Sequence, residues 1–202
     1  LLPPRKTILQ TGECPDHSMF LIEGFISCHM DAKDGKRQLV ALQIPGDFVG
    51  LEALPLRHLD YDKSTITECK VGIVPHARLC AIQRDVPHLT QMLWFSTLLD
   101  AAIHREWIFR LGRLNALGRL AHFFAETEYR LQAIERVEDG KFSLPLVQQD
   151  LAEATGMTPI HLNRTLSELR RLGLLEFRDG AASVLDRRGL WRVAEFDPTY
   201  LS

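Results

Sequence analysis

Nowhere in this chain does an apolar run approach the roughly 20 residues that a membrane-spanning helix needs. Its first ten residues, LLPPRKTILQ, lack the apolar core of a signal peptide. Both absences set the expectation of a cytoplasmic protein with no membrane partner. Cysteine is scarce and unpatterned. Cys14, Cys28, Cys69 and Cys80 stand far apart, with no C-x-x-C and no histidine at zinc-ligand spacing. That excludes the usual signatures of zinc ribbons and iron–sulfur clusters, so no metal site is expected and the thiols read as reduced. An excess of one charge is missing too. With 24 Lys+Arg against 26 Asp+Glu, the net charge of −2 cannot coat nucleic acid, although a compact basic patch is compatible with it. No segment repeats.

What is present is an ordinary folding composition. The 202 residues, 46% of them hydrophobic and 25% charged, suffice for the cores of one or two domains. From Met19 to Met30, MFLIEGFISCHM mixes apolar and polar residues at strand-like spacing, and DAKDGK supplies a Gly-containing hairpin turn. A second strand, RQLVALQI, follows. Gln38, Val40, Leu42 and Ile44 share one of its faces and Arg37, Leu39, Ala41 and Gln43 the other, until PGD breaks it. STITECKVGIV is a third candidate. Short strands without helices between them favour an antiparallel barrel or sandwich over a parallel sheet, ending near Pro87.

Beyond Pro87, HLTQMLWFSTLLDAAIHREWIFRLGRL contains no proline and reads as one long helix. Met92, Phe95, Leu99, Ala102, Glu106 and Phe109 step by three and four, as a coiled-coil seam does, while Leu93, Trp94, Leu98 and Ile103 widen the apolar surface. So wide a face suits a helix buried within a single domain as well as one with two partners. The expected division is a barrel over 1–87, a long helix over 88–112, which the resemblance described below makes a dimerisation helix, and a second domain over 113–202.

In that second domain RLNALGRLAHFFAETEYRLQAIE gives a helix and EDGKFSLP a polar turn. LVQQDLAEATGMTPIHLNRTLSELRRLGLLEF then holds a helix, a three-residue turn and a helix. Leu151 and Ala154 can pack inward, Ala152 permits close approach, and Gly156 allows the backbone to reverse. Thr158 suits the cap of the next helix, Pro159 its first position and Gly173 its left-handed stop. On that helix Leu162, Leu166, Leu169 and Leu172 fall on one side, and Ile160, Arg164, Ser167 and Arg171 on the other. LLEFRDGAASVLD reads as strand, Asp-Gly turn, strand, the hairpin wing of a winged helix. RRGLWRVAEFD closes the chain as a helix, with Trp191 and Phe196 expected against the wing.

Two segments carry a resemblance. PGDFVGLEAL, with Gly46, Asp47 and Gly50, resembles the turn and short helix of the effector-binding cassette in the Crp/Fnr family of bacterial transcription regulators. The region from the helix before the turn to the last helix is similar to that family's DNA-binding domain. The resemblance implies an α+β fold: an N-terminal antiparallel β-barrel of the cyclic-nucleotide-binding-like jelly-roll type, a central dimerisation helix and a C-terminal winged helix. It implies a homodimeric, sequence-specific regulator on palindromic double-stranded DNA, with RNA polymerase as a further partner and no catalysis. Arg164 matches a family base-contacting arginine, able to bond guanine O6 and N7. His161 and Asn163 are further polar candidates at the groove floor, Ile160 an apolar one, and Ser167 shares their stripe. Thr158, Gln148, Gln149 and Arg171 suit phosphates. The family's usual Arg-Glu or Val-Glu pair is replaced by Pro159-Ile160, which implies a different half-site.

The effector side also departs from the family. In cyclic-nucleotide-binding members a glutamate directly follows the equivalent of Gly50, and a later Arg-Ser/Thr pair holds the phosphate. Here Leu51 follows Gly50, Glu52 comes one place late, and Lys63, before Ser64 and Thr65, is the only cation near the phosphate position. Lysine cannot reproduce an arginine's planar fork, which argues against a cyclic nucleotide. Haem stays open through His17, His29, His58 or His76, whereas the H-x-H of a cupin metal site is absent and the histidines are too scattered for one metal. Two alternatives remain: a cyclic-nucleotide-responsive regulator, or a small-molecule-binding barrel or enzyme whose C-terminal domain serves protein contacts.

Overall fold

The computed structural model describes residues 1–202. Seven short strands build its first part: β1 (Thr7–Leu9), β2 (His17–Glu23), β3 (Ile26–Asp31), β4 (Arg37–Gln43), β5 (Phe48–Val49), β6 (Asp62–Thr65) and β7 (Lys70–Pro75). They pair antiparallel in two sheets, ordered β1-β6-β3-β4 and β5-β2-β7. The core holds Leu9, Met19, Leu21, Ile26, Val49, Leu59 and Cys69. Helix α1 (Ala53–Leu56) follows the PGDFVG turn.

The run from Met19 to Met30 is not one strand. It breaks at Gly24, whose φ of +97° suits glycine and whose Cβ would stand 2.5 Å from the Glu68 carbonyl oxygen. β2 and β3 therefore enter different sheets. STITECKVGIV divides for a related reason: the Thr67 hydroxyl accepts a bond from the Phe25 amide at 3.0 Å, tying the turn between β6 and β7 to the Gly24 turn. Helix α2 (His76–Asp85) stands where no helix was expected. Its sequence signal, Leu79 and Ile82 three residues apart behind Pro75, is only one turn of periodicity.

Helix α3 (Pro87–Arg113) is a single 27-residue element. By its contacts the chain divides into Leu1–His104 and Arg105–Ser202, the division falling inside α3. The second unit contains α4 (Ala116–Ala133), β8 (Lys141–Ser143), α5 (Gln148–Thr155), α6 (Pro159–Arg171), β9 (Leu175–Arg178), β10 (Ala181–Val184), α7 (Arg187–Ala194) and a last 3-10 turn (Pro198–Leu201). Asn115 caps α4 by accepting from the Gly118 amide at 2.9 Å. Leu120, Phe123, Phe124 and Leu131 bury it.

Part of EDGKFSLP is strand rather than turn. Phe142 points inward between exposed Lys141 and Ser143, so β8 adds to the wing in the order β8-β10-β9. Trp191 and Phe196 do not lie against the wing either. Their rings meet at 5.1 Å and face α4, where Tyr129 stands 6.1 Å from Trp191 and His122 5.4 Å from Phe196. The aromatic side of α4 offers α7 a larger apolar surface than a short hairpin can.

Candidate nucleic-acid interface and barrel interior

The second helix of the motif owes its position to local bonds. Asp150 accepts from the Val147 amide at 2.8 Å and so fixes the start of α5. Gly156 closes α5 in the left-handed region at φ +64°, and the Thr158 hydroxyl accepts from the His161 amide at 3.3 Å to open α6. Leu162 and Leu169 are wholly buried, which turns the opposite face outward. There Ile160 is 70% exposed, and Thr158, Pro159, His161, Asn163, Arg164, Ser167 and Arg171 are also exposed, as are Gln148 and Gln149 on α5.

These side chains differ in freedom. Asn163 Nδ2 donates to Gln148 Oε1 at 2.9 Å, joining the two helices, and Ser167 Oγ donates back to the Asn163 carbonyl at 2.9 Å. Gln149 is held by Glu153 at 2.7 Å. Arg171 forks onto Glu168 at 2.9 and 2.7 Å, so a phosphate must compete for it. Arg164 makes no hydrogen bond or ion pair and is free for a ligand. Arg170, exposed in the last turn of α6, is a further free cation that the wheel argument overlooked, because it lies at the stripe's margin.

In the barrel, Lys63 and Glu52 meet. Lys63 is 1% exposed, its Nζ lies 2.5 Å from Glu52 Oε1 and 3.9 Å from Cys28 Sγ, and the Tyr61 ring covers it at 4.0 Å. Burial works to lower the lysine's pKa, but the Glu52 carboxylate, through its charge and its hydrogen bond, outweighs it and the net shift is upward. Burial likewise works against the Glu52 carboxylate, yet Lys63 holds it below its ordinary value. The Cys28 thiol is pushed by burial up to about 12 and stays neutral. Ser64 and Thr65 do not join this group. Ser64 Oγ meets Thr7 Oγ1 at 3.0 Å, and Thr65 Oγ1 donates to the Pro3 carbonyl at 2.7 Å, anchoring the first residues. Gly46 and Asp47 form the turn after β4, with Asp47 accepting from the Ile44 amide at 2.8 Å, and Gly50 accepts from Ser18 Oγ at 3.1 Å. Leu51 is buried.

Along α3 the apolar surface has rotated from the anticipated seam. Met92, Phe95 and Phe109 are exposed, but Leu99, Ala102 and Glu106 are half-buried and Ile103 is buried. Trp94, Leu98 and Ile108 are outward instead. Arg110 accounts for part of the rotation: it is buried and draws Glu106 to 3.0 Å.

Sequence models of two domains match this chain, a cyclic nucleotide-binding domain over residues 1–84 and a Crp-like helix-turn-helix domain over residues 118–193. The transcriptional activator protein FnrL of Cereibacter sphaeroides is 30% identical over 84% of this chain and 69% of its own length. The chain belongs to the Crp/Fnr family. The activatory protein AadR of Rhodopseudomonas palustris is 29% identical over 91% of this chain and 75% of its own length. The solved structure of FixK2 from Bradyrhizobium japonicum shares the fold with a TM-score of 0.86 at 24% identity, over 95% of this chain and 94% of that one.

As a Crp/Fnr member the protein is a DNA-binding transcription regulator and not an enzyme, and no helix is long and apolar enough to cross a membrane. The family's cyclic-nucleotide ligand does not fit the residues present. The one cation near the phosphate position is already closed onto Glu52, and a cyclic phosphate would have to displace that carboxylate inside the barrel. The four barrel histidines do not converge. His17 bonds Asp16 at 2.9 Å, His76 meets Ser18 at 3.1 Å, His58 is exposed, and His29 is buried in the other sheet.

Proposed function

We propose that this Crp/Fnr regulator acts in the cytoplasm as a homodimer on a two-fold DNA site, with α6 of each protomer entering the major groove. The observation that carries the reading is the outer face of α6: a fully packed inner side holds out Ile160, His161, Asn163 and the unpaired Arg164 at the helix's N-terminal half. Arg164 reads guanine, Ile160 touches a thymine methyl, and Asn163 reads a neighbouring base through the oxygen that Gln148 leaves free. Gln148, Gln149, Thr158 and Arg170 set the register on phosphates, with Arg171 joining them once released from Glu168.

The outward stripe of α3 supports dimerisation. Phe95, Leu98, Ala102, Arg105 and Phe109 step by three and four, and Trp94 and Ile108 flank them at 67% and 72% exposure. So many large apolar groups in one row call for a partner helix. On a two-fold DNA site the two α6 helices of the dimer must stand about one helical turn, roughly 34 Å, apart. The relatives FnrL and AadR are named as activators, which favours activation through RNA polymerase over repression. With the barrel interior closed by Lys63 and Glu52, DNA binding needs no cyclic nucleotide.

Selection from a randomised duplex pool, followed by titration at several salt concentrations, tests the proposal. A palindromic site and an affinity falling steeply with salt are expected. Recovery of no palindrome, or an affinity indifferent to salt, overturns it.

A further inference from the structure

The two central strands of the β1-β6-β3-β4 sheet, β6 and β3, bring together three groups that DNA binding does not use. His29 on β3 faces Asp62 on β6 directly across the strand pair, and Asp31 lies two residues along from His29 on the same strand face. One ligand atom from each, an imidazole nitrogen and two carboxylate oxygens, lies within 4.8 Å of the others. His29 Nε2 stands 3.8 Å from Asp62 Oδ2.

His29 is the unusual member. It is 0% exposed, and neither ring nitrogen makes a hydrogen bond. The Ser27 backbone comes near the ring but outside hydrogen-bond geometry. A buried imidazole with both nitrogens idle forgoes the bonds that such groups almost always make. The two carboxylates, by contrast, have partners. Thr11 donates its amide at 2.6 Å and its hydroxyl at 2.9 Å to Asp62 Oδ1, which leaves Oδ2 turned to His29. Arg37 forks onto Asp31 at 2.8 and 2.8 Å.

We propose that His29, Asp31 and Asp62 bind a divalent transition-metal ion of the zinc or manganese class, with water completing the coordination. One nitrogen and two oxygens are a donor set for such ions, whereas calcium and magnesium favour oxygen alone. Ligands around a tetrahedral zinc ion stand about 3.4 Å apart, so the three donor atoms must draw closer than their present spacing when the ion binds. The Thr11 bonds orient Asp62, as the partners of metal-bound carboxylates do. Arg37 competes for Asp31, and because that pair is part-exposed it is held weakly. Bound metal would clamp β3 to β6 and raise the thermal stability of the barrel.

The experiment uses the full chain after chelator treatment, in a Cys14→Ser/Cys80→Ser background, since those two thiols are exposed and zinc would seek them. Zn2+ and Mn2+ are titrated by calorimetry, with thermal melts in parallel. One ion per chain and a raised melting temperature are expected, with binding at least tenfold weaker in Asp31→Asn and in Asp62→Asn. Arg37→Gln should bind several-fold more tightly, because it frees Asp31 and removes a cation that also bears on His29. The proposal is overturned if neither ion gives heat or a melting shift at millimolar concentration. It is equally overturned if both asparagine variants, folded as judged by their melts, bind as well as the parent.

Discussion

Asn163 on α6 is tied to Gln148 on α5 by a 2.9 Å side-chain bond, so the two helices of the DNA-binding motif share one polar contact at the face they present. With its amide nitrogen engaged, Asn163 keeps its oxygen as an acceptor for a base. Gln148→Ala and Asn163→Ala should therefore be coupled. A double-mutant cycle on the selected site should give an interaction of about 0.5 kcal/mol or more, and strict additivity would show that the bond does not orient Asn163.

Arg164 should behave as a reader of sequence. Arg164→Ala is expected to cost about 1 to 3 kcal/mol on the selected duplex and to relax one base preference. An equal loss on every duplex would make it a phosphate contact instead.

The rotation of the α3 seam separates two neighbouring leucines. Leu98 is 56% exposed, whereas Leu99 is half-buried against its own chain. Leu98→Glu should give a folded monomer in sedimentation experiments, with DNA affinity falling roughly 100-fold as two-site avidity is lost. Leu99→Glu should lower the melting temperature first. If Leu98→Glu remains a dimer, the stripe is not the interface.

The Lys63–Glu52 pair should be costly to break on one side. Lys63→Met leaves a carboxylate inside the barrel without its cation and should destabilise by about 3 to 5 kcal/mol, while Lys63→Met/Glu52→Leu should recover most of that. Chemical denaturation measures both, and a mild single variant would indicate that water reaches Glu52.

His122 gives the second unit a pH dependence. It is 2% exposed, its Nε2 has no partner, and burial, with a smaller contribution from Arg110, lowers its pKa from 6.5 to about 3. The unfolded chain takes up this proton as pH falls through 6.5, and the native protein does not until about 3. Stability is thus complete above 6.5 and is lost on acidification, by about 2 kcal/mol at pH 5 from this group alone. His122→Phe keeps the stacking with Phe196 and Tyr200 and should flatten that limb. The difference between the two stability curves isolates the imidazole from other acid-sensitive groups such as Glu126, and parallel curves would assign the loss elsewhere.

The helix-turn-helix was legible because its information is local. Thr158, Pro159 and Gly156 act on their own turns, and Leu162 and Leu169 mark the inner face by spacing alone. The outer stripe of α6, and with it the DNA-binding candidates, followed by subtraction. Strands were harder. An alternating pattern reads the same whether a run continues or breaks, so only the approach of Glu68 to Gly24 decided that β2 and β3 part. Lys63 and Glu52 were both visible as charges, but their closure onto each other depends on two segments eleven residues apart meeting in the barrel. The meeting of His29 and Asp31 with Asp62 was hidden for the same reason: β3 and β6 become neighbours only when the sheet forms. Sequence alone determined the helix-turn-helix and the wing hairpin, since those rest on short-range spacing and capping, and it carried the family through the resemblance of whole segments. Tertiary structure decided which face of α3 is outward, what occupies the barrel and which polar groups meet, because burial and cross-strand register are properties of the packed chain.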